Sequence, residues 1–128
     1  MEARPSHAGP ELSVIIPTFN EAGNVAELVR RLEGCLAGIA WEAIFVDDDS
    51  TDRTADLVRA LGREDARVRC IQRIGRRGLT SACVEGVLAS PAPLLAVMDG
   101  DLQHDETLLP AMLDALREDD IEIVIGSR

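Results

Sequence analysis

Asp99 and Asp101 stand one residue apart at the end of an apolar run, Leu94-Leu95-Ala96-Val97-Met98. In an extended chain, residues i and i+2 point to the same side. Two carboxylates held that way repel unless a proton or a cation sits between them. A hard divalent cation with oxygen ligands is the natural partner, and Gln103 offers a further carbonyl two residues on. The plainer alternative is a strand followed by a solvated acidic turn, and so short a pattern does not choose between the two.

Three further stretches have chemistry of the same kind. They are Pro17-Thr18-Phe19-Asn20-Glu21, then Asp47-Asp48-Asp49-Ser50-Thr51-Asp52, then Arg73-Ile74-Gly75-Arg76-Arg77-Gly78. Carboxylates can accept from base N–H and ribose hydroxyl groups, while a metal and arginines offset pyrophosphate charge. An acid cluster, arginines and a metal seat together suggest a phosphorylated ligand. Each piece also has a plainer use. The acids of 47–52, Glu21, Asp105 and Glu106 suit helix N-termini. Arg76 and Arg77 suit a solvated surface, Gly75 and Gly78 suit turns, and His7 and His104 suit exposed positions.

The elements that must position these residues are legible from periodicity. Leu12-Ser13-Val14-Ile15-Ile16 reads as a strand stopped at Pro17. Asn24 with Glu27 suggests a capping box for a helix that buries Val25, Leu28, Val29, Leu32 and Leu36. Trp41 to Val46 is a second strand, followed by a helix from about Arg53 with Ala55, Leu57, Val58 and Leu61 inward and Ser50, Thr51 or Asp52 as its cap. Val68 to Gln72 is a third strand, and the next helix buries Leu79, Ala82, Cys83, Gly86 and Val87. Leu94 to Met98 reads as a strand buried on both faces. A helix from Thr107 to about Glu118 carries the stripe Leu108, Leu109, Met112, Leu113 and Leu116, with Pro110 in its first turn. Ile121 to Ile125 is a fifth strand. Alternating strands and helices predict an α/β fold, a mostly parallel central sheet with helices on both faces. The polar loops at the strand ends then share one edge, where open sheets bind ligands. Residues 1–11 read as a mobile arm and 12–128 as one domain.

Composition narrows the function. The chain of 128 residues carries a formal charge of −10, which opposes binding to a polyanion. Aromatics are limited to Phe19, Trp41 and Phe45, too few for a nucleic-acid stacking surface. Cys35, Cys70 and Cys83 are odd in number, far apart and without a C-x-x-C, so they fit small apolar residues in a reducing compartment. With no signal-peptide stretch and no run of about 18 apolar residues, the expected location is cytoplasmic. No G-x-G-x-x-G follows the first strand and no P-loop occurs, which excludes those phosphate sites. All 13 basic residues are arginine, so the lysine used by receiver domains and haloacid-dehalogenase-like phosphatases is missing. An open sheet edge would allow pairing with a second copy.

In order, the motifs V-I-I-P-T-F-N-E, V-D-D-D-S-T-D-R-T, G-L-T-S-A, M-D-G-D-L-Q-H and G-S-R resemble the nucleotide-binding half of family 2 glycosyltransferases with the Rossmann-like GT-A fold. The D-x-D-L-Q form is similar to the polyprenyl-phosphate branch typified by dolichol-phosphate mannosyltransferases. That resemblance implies a nucleotide pocket lined by Pro17, Asn20, Glu21, Asp47, Asp48 and Asp99. It implies Mg²⁺ or Mn²⁺ among Asp99, Asp101 and Gln103, with Asp101 and Arg128 serving catalysis. The implied reaction moves a hexose from a nucleotide sugar, GDP-mannose or UDP-glucose, to a polyprenyl phosphate at the membrane surface, with inversion and without nucleic acid. A non-catalytic nucleotide-sugar-binding module, or an inactive fragment of such an enzyme, is the alternative. The family usually has glycine where Asp49 stands, so the second loop is expected either to be disturbed there or to turn that carboxylate to solvent.

Overall fold

A computed structural model describes residues 9–103 and 105–118. Its elements are β1 (Leu12–Thr18), α1 (Val25–Cys35), β2 (Trp41–Asp47), α2 (Thr54–Glu64), β3 (Val68–Gln72), α3 (Leu79–Ala89), β4 (Leu94–Val97) and α4 (Leu109–Leu116). A short 3-10 turn, Glu106–Leu108, precedes α4. The expected fifth strand, Arg128, His7 and His104 lie outside the described residues.

The four strands form one parallel sheet in the order β3-β2-β1-β4. The register sets Thr18 beside Asp47 and Asp47 beside Gln72, so three strands end level. Val97 pairs with Ile15, and Met98 N–H donates to Ile15 O at 3.0 Å, which brings the residues after β4 to the same edge. Glu11 is already tied in, donating to Ala40 O and accepting from Leu94 N–H.

Helices cover both faces, as the alternation predicts. On one face α1, α2 and α4 bury Val25, Leu28, Leu32, Val58, Leu109 and Leu113 against Val14, Ile16 and Phe45. On the other, α3 sets Ala82 against Ile15, Ile44 and Val46. Gly86 permits that approach: a Cβ there would sit 2.4 Å from Ile15 Cγ2 and 3.2 Å from Val46 Cγ2.

Several expectations about burial are corrected. Leu57, Leu79 and Val87 are exposed, and so is Leu108. β4 is not buried on both faces: Leu95 is 37% and Val97 53% exposed. β4 borders only β1 among the described residues, and no described helix covers that side of it. The Asn24 side chain makes no cap hydrogen bond to α1. Its partner in the expected capping box, Glu27, pairs with Arg30 and Arg31 instead. The three cysteines are free and half-buried, and burial pushes the Cys70 thiol up to about 11.

Two glycines test this packing. Gly86→Ala is expected to lower stability by about 1–3 kcal/mol through overpacking. Gly34→Ala in α1 meets nothing within 4 Å and should stabilise by about 0.5 kcal/mol. Thermal unfolding of both variants reads the contrast; equal midpoints would contradict the close approach of α3.

Candidate functional site

The site is built from the loops after β1, β2, β3 and β4. The first two are laced together backbone to side chain. Asn20 N–H donates to Ser50 Oγ at 2.8 Å, Glu21 N–H to Thr54 Oγ1 at 3.0 Å and Ala22 N–H to Asp52 Oδ2 at 3.0 Å. In return Asn20 Oδ1 accepts from Thr51 N–H at 2.9 Å. Three successive amides of one loop are thus satisfied by side chains of the other, which is why this stretch is rich in Ser, Thr and Asp.

Asp47 is fully buried beneath this seam. It accepts from Thr18 Oγ1 at 2.8 Å and from Ser50 N–H at 2.8 Å, and also from Ser50 Oγ. Its oxygens are therefore engaged inside the protein, and it holds the two loops in place. Asp48 faces the third loop. Its Oδ1 accepts from Arg73 Nε at 2.7 Å and its Oδ2 from Gly78 N–H at 3.0 Å. Arg73 is itself 1% exposed and also reaches Glu85 at 3.3 Å. A guanidinium taken out of water needs such partners, since a buried charge without them is costly. Periodicity gives no sign of this burial, because Arg73 reads as the first residue of an exposed basic loop.

The fourth loop docks on the first. Gly100 is buried, and a Cβ there would meet Thr18 Cγ2 at 3.0 Å. Asn24 Nδ2 joins the two loops, donating to Glu21 Oε2 at 2.9 Å and to Gly100 O at 3.3 Å. Asp99 and Asp101 thereby come close enough to Glu21 to act on it. Burial pushes the Glu21 carboxyl above its usual value, the charges of Asp101, Asp52 and Asp99 add to that, and the Asn24 hydrogen bond opposes it. β4 ends at Val97 and Gly100-Asp101 is a turn, so the same-side argument for an extended D-x-D does not apply. It is the turn, with Leu102 at φ 65°, that presents the carboxylates. Asp101 is exposed and accepts from Gln103 N–H at 3.0 Å, and Asp99 is half-buried.

Backbone strain marks the same edge. The described non-glycine residues with positive φ are Asn20, Asp49, Arg53 and Leu102, all in these loops. Such conformations cost about 1–2 kcal/mol per residue and persist where the surroundings hold them. Asp49 keeps the glycine-like turn at φ 60° and accepts from Gln72 Nε2 at 3.1 Å, so it neither disturbs the loop nor simply faces solvent.

Among the described residues, no three His, Cys, Asp or Glu side chains converge on one point. Two carboxylates and an amide on an exposed turn nonetheless suit a hard cation of the Mg²⁺ or Mn²⁺ kind. Such ions take one or two protein carboxylates and complete their shell with water and substrate phosphates. The donor set fits an ion bound together with a diphosphate.

Residues 13–128 match the model of "Glycosyl transferase family 2". The chain belongs to this family. It is 39% identical over 118 residues to a dolichol-phosphate mannosyltransferase of Pyrococcus furiosus, covering 92% of this chain and 33% of that protein. It is 36% identical to a dodecaprenyl-phosphate galacturonate synthase of Rhizobium johnstonii, covering 92% of this chain and 36% of that one. The dolichol-phosphate mannosyltransferase of Saccharomyces cerevisiae is 36% identical, with 92% and 45% covered. This family 2 chain thus spans a third to just under half of those relatives. In fold it matches a mannosyltransferase of Pyrobaculum calidifontis solved with GDP-Man and Mn²⁺, at a TM-score of 0.72 and 23% identity, covering 88% of this chain and 34% of the other. A glucosyl-3-phosphoglycerate synthase of Mycobacterium tuberculosis solved with UDP gives 0.68 at 22% identity, with 92% and 47% covered. The resemblance to the polyprenyl-phosphate branch and the Rossmann-like GT-A fold are both borne out.

The crowding around Glu21 has a measurable consequence. A carboxyl whose folded-state value is raised binds more protons folded than unfolded, so stability falls as pH rises from about 4.5 through the raised value. Glu21→Gln keeps an acceptor for Asn24 and removes the charge. It should raise the unfolding midpoint at pH 7, with the gain vanishing toward pH 4. A pH-independent effect would contradict the electrostatic account.

Proposed function

We propose that this chain is the donor-binding part of a glycosyltransferase that moves a hexose from a nucleoside-diphosphate sugar to a polyprenyl phosphate with inversion. The observation that supports this most is the joining of four loops on one sheet edge. They place Asp48 with Arg73 at one end and Asp99 with Asp101 at the other. Pro17, Asn20, Glu21 and Asp48 would line the nucleotide pocket, with Asp47 holding it from beneath. Asp99, Asp101 and Gln103 would hold Mg²⁺ or Mn²⁺. Such an ion offsets the charge that develops on a departing diphosphate. Asp101 and Arg128 are the residues assigned to catalysis. An acceptor phosphate is already anionic, so no strong general base is required of the protein.

The relatives named for dolichol-phosphate and dodecaprenyl-phosphate sugar transfer support the lipid phosphate as acceptor. The same reading puts the protein at the cytoplasmic face of a membrane. No helix among the described residues is long and apolar enough to cross one. GDP-mannose and UDP-glucose are the leading donors.

Titration with GDP-mannose and UDP-glucose, with and without Mn²⁺, tests the proposal. One donor should bind in a Mn²⁺-dependent manner. Asp101→Ala should weaken that binding by at least about tenfold, since even outer groups around a metal are worth about 10- to 100-fold. Binding indifferent to Mn²⁺ and to Asp101→Ala would sink the metal assignment, and no binding of either donor would sink the donor site.

A further inference from the structure

We propose that Asn24 is a positioning residue for the D-G-D turn. Through Gly100 it sets how tightly Asp99, Asp101 and Gln103 take up a divalent cation together with a nucleoside diphosphate. This rests on the donor site proposed above. Asn24 itself is not a ligand; it acts through the backbone of the turn.

The place of Asn24 in the chain does not account for its side chain. It is the residue before α1, where Asn, Asp, Ser and Thr ordinarily accept from the first amides of the helix. Here the side chain makes no such bond, and backbone alone starts the helix. Leu28 N–H donates to Asn24 O at 2.9 Å, and Asn24 N–H donates to Glu21 O at 2.9 Å. The half-buried side chain turns instead toward the fourth loop. Its Nδ2 carries two N–H groups for two acceptors, Glu21 Oε2 at 2.9 Å and Gly100 O at 3.3 Å. A serine or threonine would offer one donor and an aspartate none, so the amide is the chemistry this bridge requires.

Each end of the bridge is itself anchored. Glu21 N–H is held by Thr54 Oγ1, so Asn24 carries the seam of the first two loops on to the fourth. Gly100 fits closely where it docks: a Cβ there would lie 3.0 Å from Thr18 Cγ2 and 3.5 Å from Glu21 Cγ. A peptide unit is planar, so holding the Gly100 carbonyl fixes the plane that leads to Asp101. On the far side of Asp101, Leu102 takes a left-handed φ of 65° and packs against the core. Asp101 thus stands exposed between two fixed points and accepts from Gln103 N–H inside the same turn. The backbone on either side sets where its carboxylate points. Mg²⁺ in particular asks for oxygens in near-ideal octahedral positions. A turn free to tilt would carry its carboxylates away from an ion that the diphosphate also holds. The loss would fall on the metal-assisted part of binding, while contacts of the nucleotide with the first three loops stay.

The test is titration of the protein with GDP and with UDP, in EDTA and across a Mn²⁺ series, comparing wild type with Asn24→Ser and Asn24→Asp. Both replacements suit the residue before a helix, so α1 keeps its start. At a saturating concentration of the preferred nucleotide, the Mn²⁺ midpoint should rise by about three- to tenfold in Asn24→Ser, the worth of a hydrogen bond. Asn24→Asp, which sets an oxygen against Glu21 and the Gly100 carbonyl, should lose at least as much. Affinity in EDTA should stay at the wild-type value in both. An unchanged Mn²⁺ midpoint in both variants would overturn the assignment. So would an equal loss with and without Mn²⁺, the mark of a residue that merely supports the pocket. Wild-type protein that binds neither nucleotide would overturn the donor site, and binding without regard to Mn²⁺ would overturn its metal seat, in each case taking the role of Asn24 with it.

Discussion

The edge that carries the chemistry depends on one buried carboxylate. Asp47 ends β2 with no solvent exposure and takes hydrogen bonds from Thr18 on β1 and Ser50 on the loop after β2. A polar side chain buried in that position is tolerable only because its oxygens have hydrogen-bond partners. Once matched, it fixes the height and direction of two loops at once. Asn20, Glu21 and Ala22 can then give their amide protons to Ser50, Thr54 and Asp52. Asp48 is turned the other way, toward Arg73, and so extends the same device to the third loop. A parallel sheet makes this possible, since strands in level register deliver their ends to one line.

Holding the loops this way has a cost. Asn20, Asp49, Arg53 and Leu102 occupy left-handed conformations, and Arg73 is stripped of water. Acids also crowd at Glu21, which burial and neighbouring charge leave uncomfortable in its ionised form. A fold selected only for stability would spread these features out. Their confinement to one edge, with an exposed D-G-D turn at its end, is what a cation and a polyphosphate would relieve.

The sequence made the frame legible and the site only in outline. Strand and helix order, the parallel sheet and the edge location followed from hydrophobic period and from strand-end polarity. The motifs at Pro17–Glu21, Asp47–Asp52 and Asp99–Gln103 lie on loops that the strand register brings to one edge. What periodicity does not encode is which acid points inward. Asp47, Asp48 and Asp49 read alike as letters, yet one is a buried clasp, one binds an arginine and one accepts from Gln72. The Asn24 to Glu27 spacing suggested a cap, but the Asn24 side-chain amide goes to the neighbouring Glu21 and to the distant Gly100 instead. β4 read as buried because it is apolar, whereas among the described residues no helix covers the face that carries Leu95 and Val97.

The central claim is that these loops form one nucleotide site rather than a set of decorated strand ends. Amide chemical-shift mapping of the isotopically labelled chain with a nucleoside diphosphate and Mg²⁺ tests it most directly. The account predicts perturbations grouped at 17–24, 47–54, 73–78 and 98–103, with the opposite sheet edge around Glu11, Ala40 and Pro93 silent. Perturbations centred on that opposite edge, or scattered over α1 and α4 with the four loops unchanged, would contradict it.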